Sequence, residues 1–387
     1  MRPRLFSLFS REVRRLRHDP VYAFCMIVAP LLCFFFFTSL MDNGLPQELP
    51  VGVVDGDGTT TSRSIARNLD AFPQSRIVAR YADVSEARRA VQRGDIYGFY
   101  YIPAGTGRMA MRQERPTLSF YTNYSYLVAG SLIYKDMRTM SELAAGSAAR
   151  SVLYARGATD EQAMAYLQPI VVETHPVGNP WLNYNVYLSN TLVPGVLMLF
   201  VFMITVYGIG TEIKEGSGRG LLREAGGNVL TALWGKLLPQ AAIFLLIGSC
   251  YVFYLYGVLH FPCHCGIGRA WALMALFVLA SQGLGVLMIT ALPTLRLGLS
   301  FASLWGVISF SICGMSFPVM AMHPVLQGLA WLFPLRHYFL LYVNSVLDGY
   351  PLLNAWPHLL ALVGFAALPY LLAPRLRYVL KHAKYEK

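Results

Sequence analysis

Charged residues disappear from the chain over long stretches, and those stretches fall into two groups. Val21 to Leu40 (VYAFCMIVAPLLCFFFFTSL) stands alone near the start, whereas Tyr187 to Gly210, Leu237 to Leu259, Ala270 to Leu292, Leu297 to Phe317 and Leu352 to Leu372 crowd the second half. A helix that crosses the hydrocarbon core of a bilayer needs about 20 predominantly apolar residues, so the pattern predicts six spans. The apolar core of the first run is too long for a secretory leader, and no small-residue cleavage site follows it.

Between the first two spans the pattern changes. Leu49-Pro-Val-Gly-Val-Val54 is a near-continuous apolar strand of the kind covered on both faces. A Gly/Thr turn, a helical stretch (Ser62 to Phe72), a second strand (Arg76 to Tyr81), a helix opening at Ser85 and a third strand (Ile96 to Ile102) follow. This alternation predicts a small parallel sheet. Thr117 to Tyr121 adds a fourth strand, and Ile133, Met137, Met140 and Ala144 recur at helical spacing in a long helix from about Ser125 to Arg156. Ile170-Val-Val172 then leads the chain back to the membrane.

Composition agrees with a membrane protein. Apolar residues make up 55% of the chain and charged residues 14%, against roughly 25% charged in a soluble protein, and mean hydropathy is +0.44. Those values exclude a disordered chain. The net charge of +11 acquires meaning only when it is located. Segments 1–20, 211–236, 293–296 and 373–387 together hold 16 basic and 6 acidic residues, whereas 41–186 holds 14 of each. By the positive-inside rule both termini are cytoplasmic and 41–186 lies outside. The excess meets anionic lipid headgroups; it is not a nucleic-acid footprint. The expected fold is a membrane all-α bundle of six transmembrane helices with an inserted α/β extracytoplasmic domain. Its parts are a cytoplasmic amphipathic segment (1–20), the first transmembrane helix (21–40), the outer domain (41–186), a five-helix region (187–372) and a basic cytoplasmic tail (373–387).

Candidate chemistry is sparse. Cys263 and Cys265, with His260 and His264, form a ligand-rich outer loop, HFPCHC. The spacing is not that of a zinc site, and no second cluster completes one. Val53-Val-Asp-Gly-Asp-Gly-Thr59 resembles the nucleophile loop of haloacid-dehalogenase-like phosphatases, but the lysine and acidic pair of such a site are missing; a strand end followed by a capped helix explains the same residues. Intramembrane polar residues mark possible pathways. Asn190 and Thr191 lie at the outer end of the second span, and Gln282 lies in the middle of the fourth, where an amide also serves as interhelical glue. The stretch Glu212 to Lys236 mixes charges with Leu221, Leu222, Val229, Leu230, Leu233 and Trp234, and reads as one or two short helices lying along the membrane surface.

These residues resemble the ABC-2-type transporter permeases, in particular the group with a large external domain between spans one and two. Family members carry Glu-x-x-Glu-Gly-Thr, then a Leu-Leu pair and Gly-Lys; Glu212, Glu215, Gly216, Ser217, Leu221, Leu222, Gly235 and Lys236 fall in that order. Gly218 and Gly220 replace larger residues, and Glu224-Ala225 stands where Thr-Pro is usual. Pro194-Gly195, Gly314-Met-Ser-Phe317-Pro318, His323-Pro324 and Phe333-Pro-Leu-Arg336-His-Tyr338 match further stretches.

The resemblance implies a permease subunit of an ATP-driven exporter that moves a drug, lipid or other envelope-directed substrate outward in the bacterial inner membrane. Loop 211–236 becomes the coupling loop to an ABC ATPase subunit, through Glu212, Glu215, Gly216, Ser217, Leu221 and Leu222. Segment 318–348 becomes outer helices dipping partly into the membrane. Asn190, Thr191, Pro194, Gln282, Phe317 and Arg336 are the candidates for the translocation path; Arg336 meets an acidic substrate or headgroup, or snorkels to the interface. The chain has no G-x-x-x-x-G-K-[ST] loop. ATP and magnesium therefore belong on the partner ATPase, and no cofactor, metal or catalytic residue is expected here. The other expected partners are a second permease copy or paralogue, a periplasmic adaptor and membrane lipids. A membrane-anchored binding or scaffold protein is the alternative class.

Overall fold

The computed structural model describes residues 2–112 and 114–383, and it divides into two compact units, 1–42 with 176–387, and 43–175. The first unit opens with α1 (Arg2–His18), whose positions 8, 12 and 16 are buried on one face. Asp19 ends α1 and caps α2 (Pro20–Leu40), accepting from the Val21 amide at 2.9 Å, with Pro20 at the first helical position.

The inserted unit contains β1 (Leu49–Asp55), α3 (Thr60–Asp70), β2 (Ser75–Tyr81), α4 (Val84–Arg93), β3 (Gly98–Ile102), α5 (Thr106–Met111), β4 (Ser119–Thr122), α6 (Leu127–Ala155) and α7 (Asp160–Leu167). The strand order is β2-β1-β3-β4. β1 is parallel to both neighbours, and its alternate residues fill two cores: Val51 and Val53 pack with Leu69, Tyr100 and Met137, and Val54 packs with Ala87, Ala90 and Phe99. That double burial is why β1 reads as an unbroken apolar run. The all-parallel expectation fails at β4, which pairs antiparallel with β3. The β3–β4 connection holds only the short α5 and returns without a full crossover, so an antiparallel edge results. The four strands, the first two helices of this unit and the long helix α6 start and stop within a few residues of expectation, whereas α5 and α7 are unanticipated; Ile170 to Val172 is exposed and outside any element.

The first unit resumes with α8 (Tyr184–Lys214), α9 (Gly218–Glu224), α10 (Val229–Val258), α11 (Ile267–Ala291), α12 (Leu295–Ile312), α13 (Pro324–Leu329), α14 (Pro334–Leu341), α15 (Leu352–Leu371) and α16 (Ala373–His382). Among the described residues six helices are long and apolar enough to cross a membrane: α2, α8, α10, α11, α12 and α15. α8 and α11 form the interior of this unit, with Phe202, Phe277 and Val286 fully buried. One expectation is corrected here. Val229 to Lys236 is not a surface helix but the opening two turns of α10, because the Lys236 charge is neutralised inside the protein and does not end the span.

Candidate functional site

The loop between α8 and α10 closes over a buried charge network. Lys236 on α10 donates to Glu12 of α1 at 2.8 Å and to Glu212 of α8 at 3.0 Å, and all three side chains are only 2% exposed. Glu212 also receives Arg11 and Arg15 of α1, each at 2.9 Å, and the Ser217 hydroxyl. Gln240, one turn beyond Lys236, donates to Glu12 at 3.1 Å. Buried charges persist only when paired and hydrogen-bonded. Here the pairing joins three helices into one body.

Local sequence explains how the network assembles. Gly216 adopts φ +69°, a left-handed conformation that stops α8 and turns Ser217 back onto Glu212. Gly235 lets α1 approach, since a Cβ there would lie 2.5 Å from the Cβ of Leu8. Gly218 does the same for α16, where a Cβ would lie 2.7 Å from the Leu380 carbonyl oxygen, and so explains one departure from the family pattern. Gly220 faces open space, and nothing in the structure explains it.

The six loop candidates separate into two groups. Glu212, Leu221 and Leu222 are buried within the chain, the leucines in the core that also contains Leu376 and Leu380 of α16. Glu215 and Gly216 are exposed, and Ser217 is half-buried. Glu215 pairs with Arg15 at 3.3 Å and Glu224 with Arg11 at 3.0 Å. The outward face is thus Lys214, Glu215, Arg219, Gly220, Arg223 and Glu224. The leucine pair is covered by its own chain.

Glu12, Arg11, Arg15 and Gln240 escaped the sequence reading. The available signal was an acidic residue between Leu8 and Leu16 on the apolar face of an amphipathic helix, with a lone Lys followed four residues later by Gln in an apolar one.

The candidates for a path are mostly held in packing. Asn190 accepts from the Tyr256 hydroxyl at 2.7 Å, and the Tyr251 hydroxyl donates to the Ser189 carbonyl, so this outer polar cluster joins α8 to α10. Thr191 and Pro194 are buried beside it. Gln282 donates to the Leu237 carbonyl at 3.2 Å and bridges α11 to α10. Phe317 is exposed, whereas Arg336 is half-buried at the start of α14, its Nε without a hydrogen-bond partner among the described residues.

Elsewhere, Asp55 accepts from the Asp57 and Gly58 amides and from Ser62, and Asp57 accepts from Thr59 and the Gly107 amide. Both carboxylates organise the turn into α3. Cys263 and Cys265 are free thiols, and burial, then the adjoining Cys265, pushes Cys263 up to about 11.

Six helices long and apolar enough to cross a membrane, with a buried ionic latch and an exposed charged loop beside it, define a multi-pass membrane protein. The profile of the family described as ABC-2 family transporter protein matches residues 20–374. The chain belongs to this family, as a membrane permease of an ABC transporter. No curated protein and no solved structure matches it.

Proposed function

We propose that the chain is the permease subunit of an ATP-driven exporter whose ATPase is a separate chain carrying the ATP and magnesium. The observation that carries this reading is the outward charged face of 214–224 mounted on the Glu12–Lys236–Glu212 latch. A partner ATPase that closes on ATP would press on Lys214, Glu215, Arg219, Arg223 and Glu224. The Leu221-Leu222 pair and Glu212 would pass that displacement to α16, α8, α1 and α10 together. The termini then lie in the cytoplasm and 43–175 lies outside, in keeping with the distribution of basic residues. A groove of about 670 Å³ in that unit, between α3, α5 and α6, suits it to holding cargo or an envelope adaptor.

The permease works beside a second copy or a paralogue in the bacterial inner membrane. Only 11% of the apolar window of α15 and 28% of that of α2 are buried by the chain itself, against 72% for α11, leaving faces for lipid and for a second permease. To test the reading, the tagged full chain is isolated from its native membrane and its inverted vesicles are supplied with ATP. Recovery of an ABC ATPase and ATP-dependent uptake into the inverted vesicles support it. Isolation without any ATPase sinks it.

A further inference from the structure

A groove outside the latch lies between α1 and the adjoining ends of α2 and α10. Its volume is about 450 Å³, inside the range of roughly 300–1,000 Å³ typical of small-molecule sites. The floor is apolar, made by Leu16, Tyr22, Met26, Pro239 and Ile243, and Arg17 stands at its edge. The α2 wall includes a π-helical turn, Phe24–Val28, a distortion often found at functional sites. Ala23, Ile27 and Ala242 are exposed at the mouth, on two helices that cross the membrane, so acyl chains surround the opening.

The cations of α1 divide unequally around this groove. Arg11 and Arg15 are committed to Glu212, Glu215 and Glu224. Arg14 and Arg17 are exposed, and neither has an acidic partner among the described residues. The nearest acid in sequence, Asp19, is engaged by the Val21 amide and by the Tyr207 hydroxyl at 3.0 Å. An apolar slot open to the bilayer, with the Arg17 guanidinium at its edge and Arg14 one turn earlier on the same helix, complements one kind of molecule.

We propose that this groove binds an anionic phospholipid from the leaflet on the N-terminal side. One acyl chain occupies the slot between α2 and α10, and the phosphate is held by Arg17 and Arg14 through charge-assisted hydrogen bonds. The bound lipid would fasten α1 to the bilayer, and α1 carries the arginines that hold Glu212. The site does not depend on the direction of transport or on the identity of the ATPase.

The test uses the full chain in detergent, titrated separately with phosphatidylglycerol and phosphatidylcholine of the same acyl composition and read by native mass spectrometry. One phosphatidylglycerol should bind more tightly than phosphatidylcholine. Arg14→Gln with Arg17→Gln should weaken phosphatidylglycerol by at least about tenfold, the lower end of what losing one hydrogen bond to a charged group does, and leave phosphatidylcholine unchanged. Ala242→Trp, which fills the slot from an exposed position, should abolish the tight site while the melting temperature in lipid-free detergent stays at the wild-type value. If Ala242→Trp disturbs folding, Ala23→Trp fills the slot from the opposite wall. Equal affinity of the wild type for the two lipids overturns the proposal, as does phosphatidylglycerol affinity that survives slot filling or the arginine substitutions.

Discussion

Replacing Lys236 with Met examines the latch at its centre. The ammonium lies 2.8 Å from Glu12 and 3.0 Å from Glu212 in a site where all three side chains are 2% exposed. Its loss leaves two buried carboxylates unequally served, because among the described residues Glu212 keeps Arg11 and Arg15 whereas Glu12 keeps only Gln240. Removing one partner of a buried ion pair costs about 3–5 kcal/mol, while replacing the pair by neutral groups of similar volume is often neutral or stabilising. Lys236→Met should therefore destabilise the fold by about 3–5 kcal/mol, and adding Glu12→Gln should recover most of that loss. Arg11→Gln should cost roughly 0–1 kcal/mol, because Arg11 is 35% exposed and solvent screens it. Denaturation of the purified protein in mixed micelles, followed by helical circular dichroism, reads the wild type and the three variants on one scale. The reasoning is refuted if Lys236→Met matches the wild type, or if the double variant is no more stable than Lys236→Met alone.

Four further outcomes follow from the same geometry. Residues 43–175 expressed alone should melt in one cooperative transition, since that segment is a compact unit with cores on both faces of its sheet; a gradual melt would deny it independent folding. Within it, burial raises Asp136 above the usual carboxylate range, although Ser75 donates to it at 3.0 Å. The protonated form is thus favoured by folding, and stability is lost as pH rises through the raised value. Asp136→Asn should melt higher than the wild type at pH 7 and equal it in acid; a pH-independent difference would count against this. Gly283→Leu should prevent α11 from seating on α15, because even a Cβ there would lie 1.9 Å from the Phe365 carbonyl oxygen, and overpacking costs roughly 1–3 kcal/mol or more; recovery of a monodisperse protein of wild-type stability would refute the packing. For orientation, in a chain whose own six cysteines are replaced by serine, an impermeant maleimide outside intact cells should label Thr61→Cys and not Ser10→Cys, and the reverse pattern inverts the topology.

The membrane-spanning segments were legible because a spanning helix must exclude charge over its whole length, and few other structures do. β1 was legible for a related reason: burial on both faces removes the alternation that would otherwise mark a half-exposed strand. The antiparallel β4 was not, since strand direction at an edge depends on how the chain returns, which periodicity does not record. The loop divides in the same way. Amphipathicity shows that one face of Leu221-Leu222 is covered but not by what, and α16, far along the chain, covers it. Lys236 looks like the end of a loop because its neutralising partner, Glu12, lies 224 positions away. Ion pairs closed between distant helices leave in sequence only isolated charges in apolar surroundings.

Cross-linking from Gly220 tests the central claim most directly. Gly220 is exposed, no atom lies within 4 Å of where its Cβ would be, and it sits amid the outward charges of the loop. In native membranes a short photoreactive cross-linker on Gly220→Cys, in a chain whose own cysteines are replaced by serine, should capture an ABC ATPase subunit, and the same probe on a chain that keeps Cys250 of α10 alone should not. Capture of the ATPase from Cys250 alone, or from neither position while ATP-dependent transport continues, contradicts the assignment of loop 214–224 as the docking face.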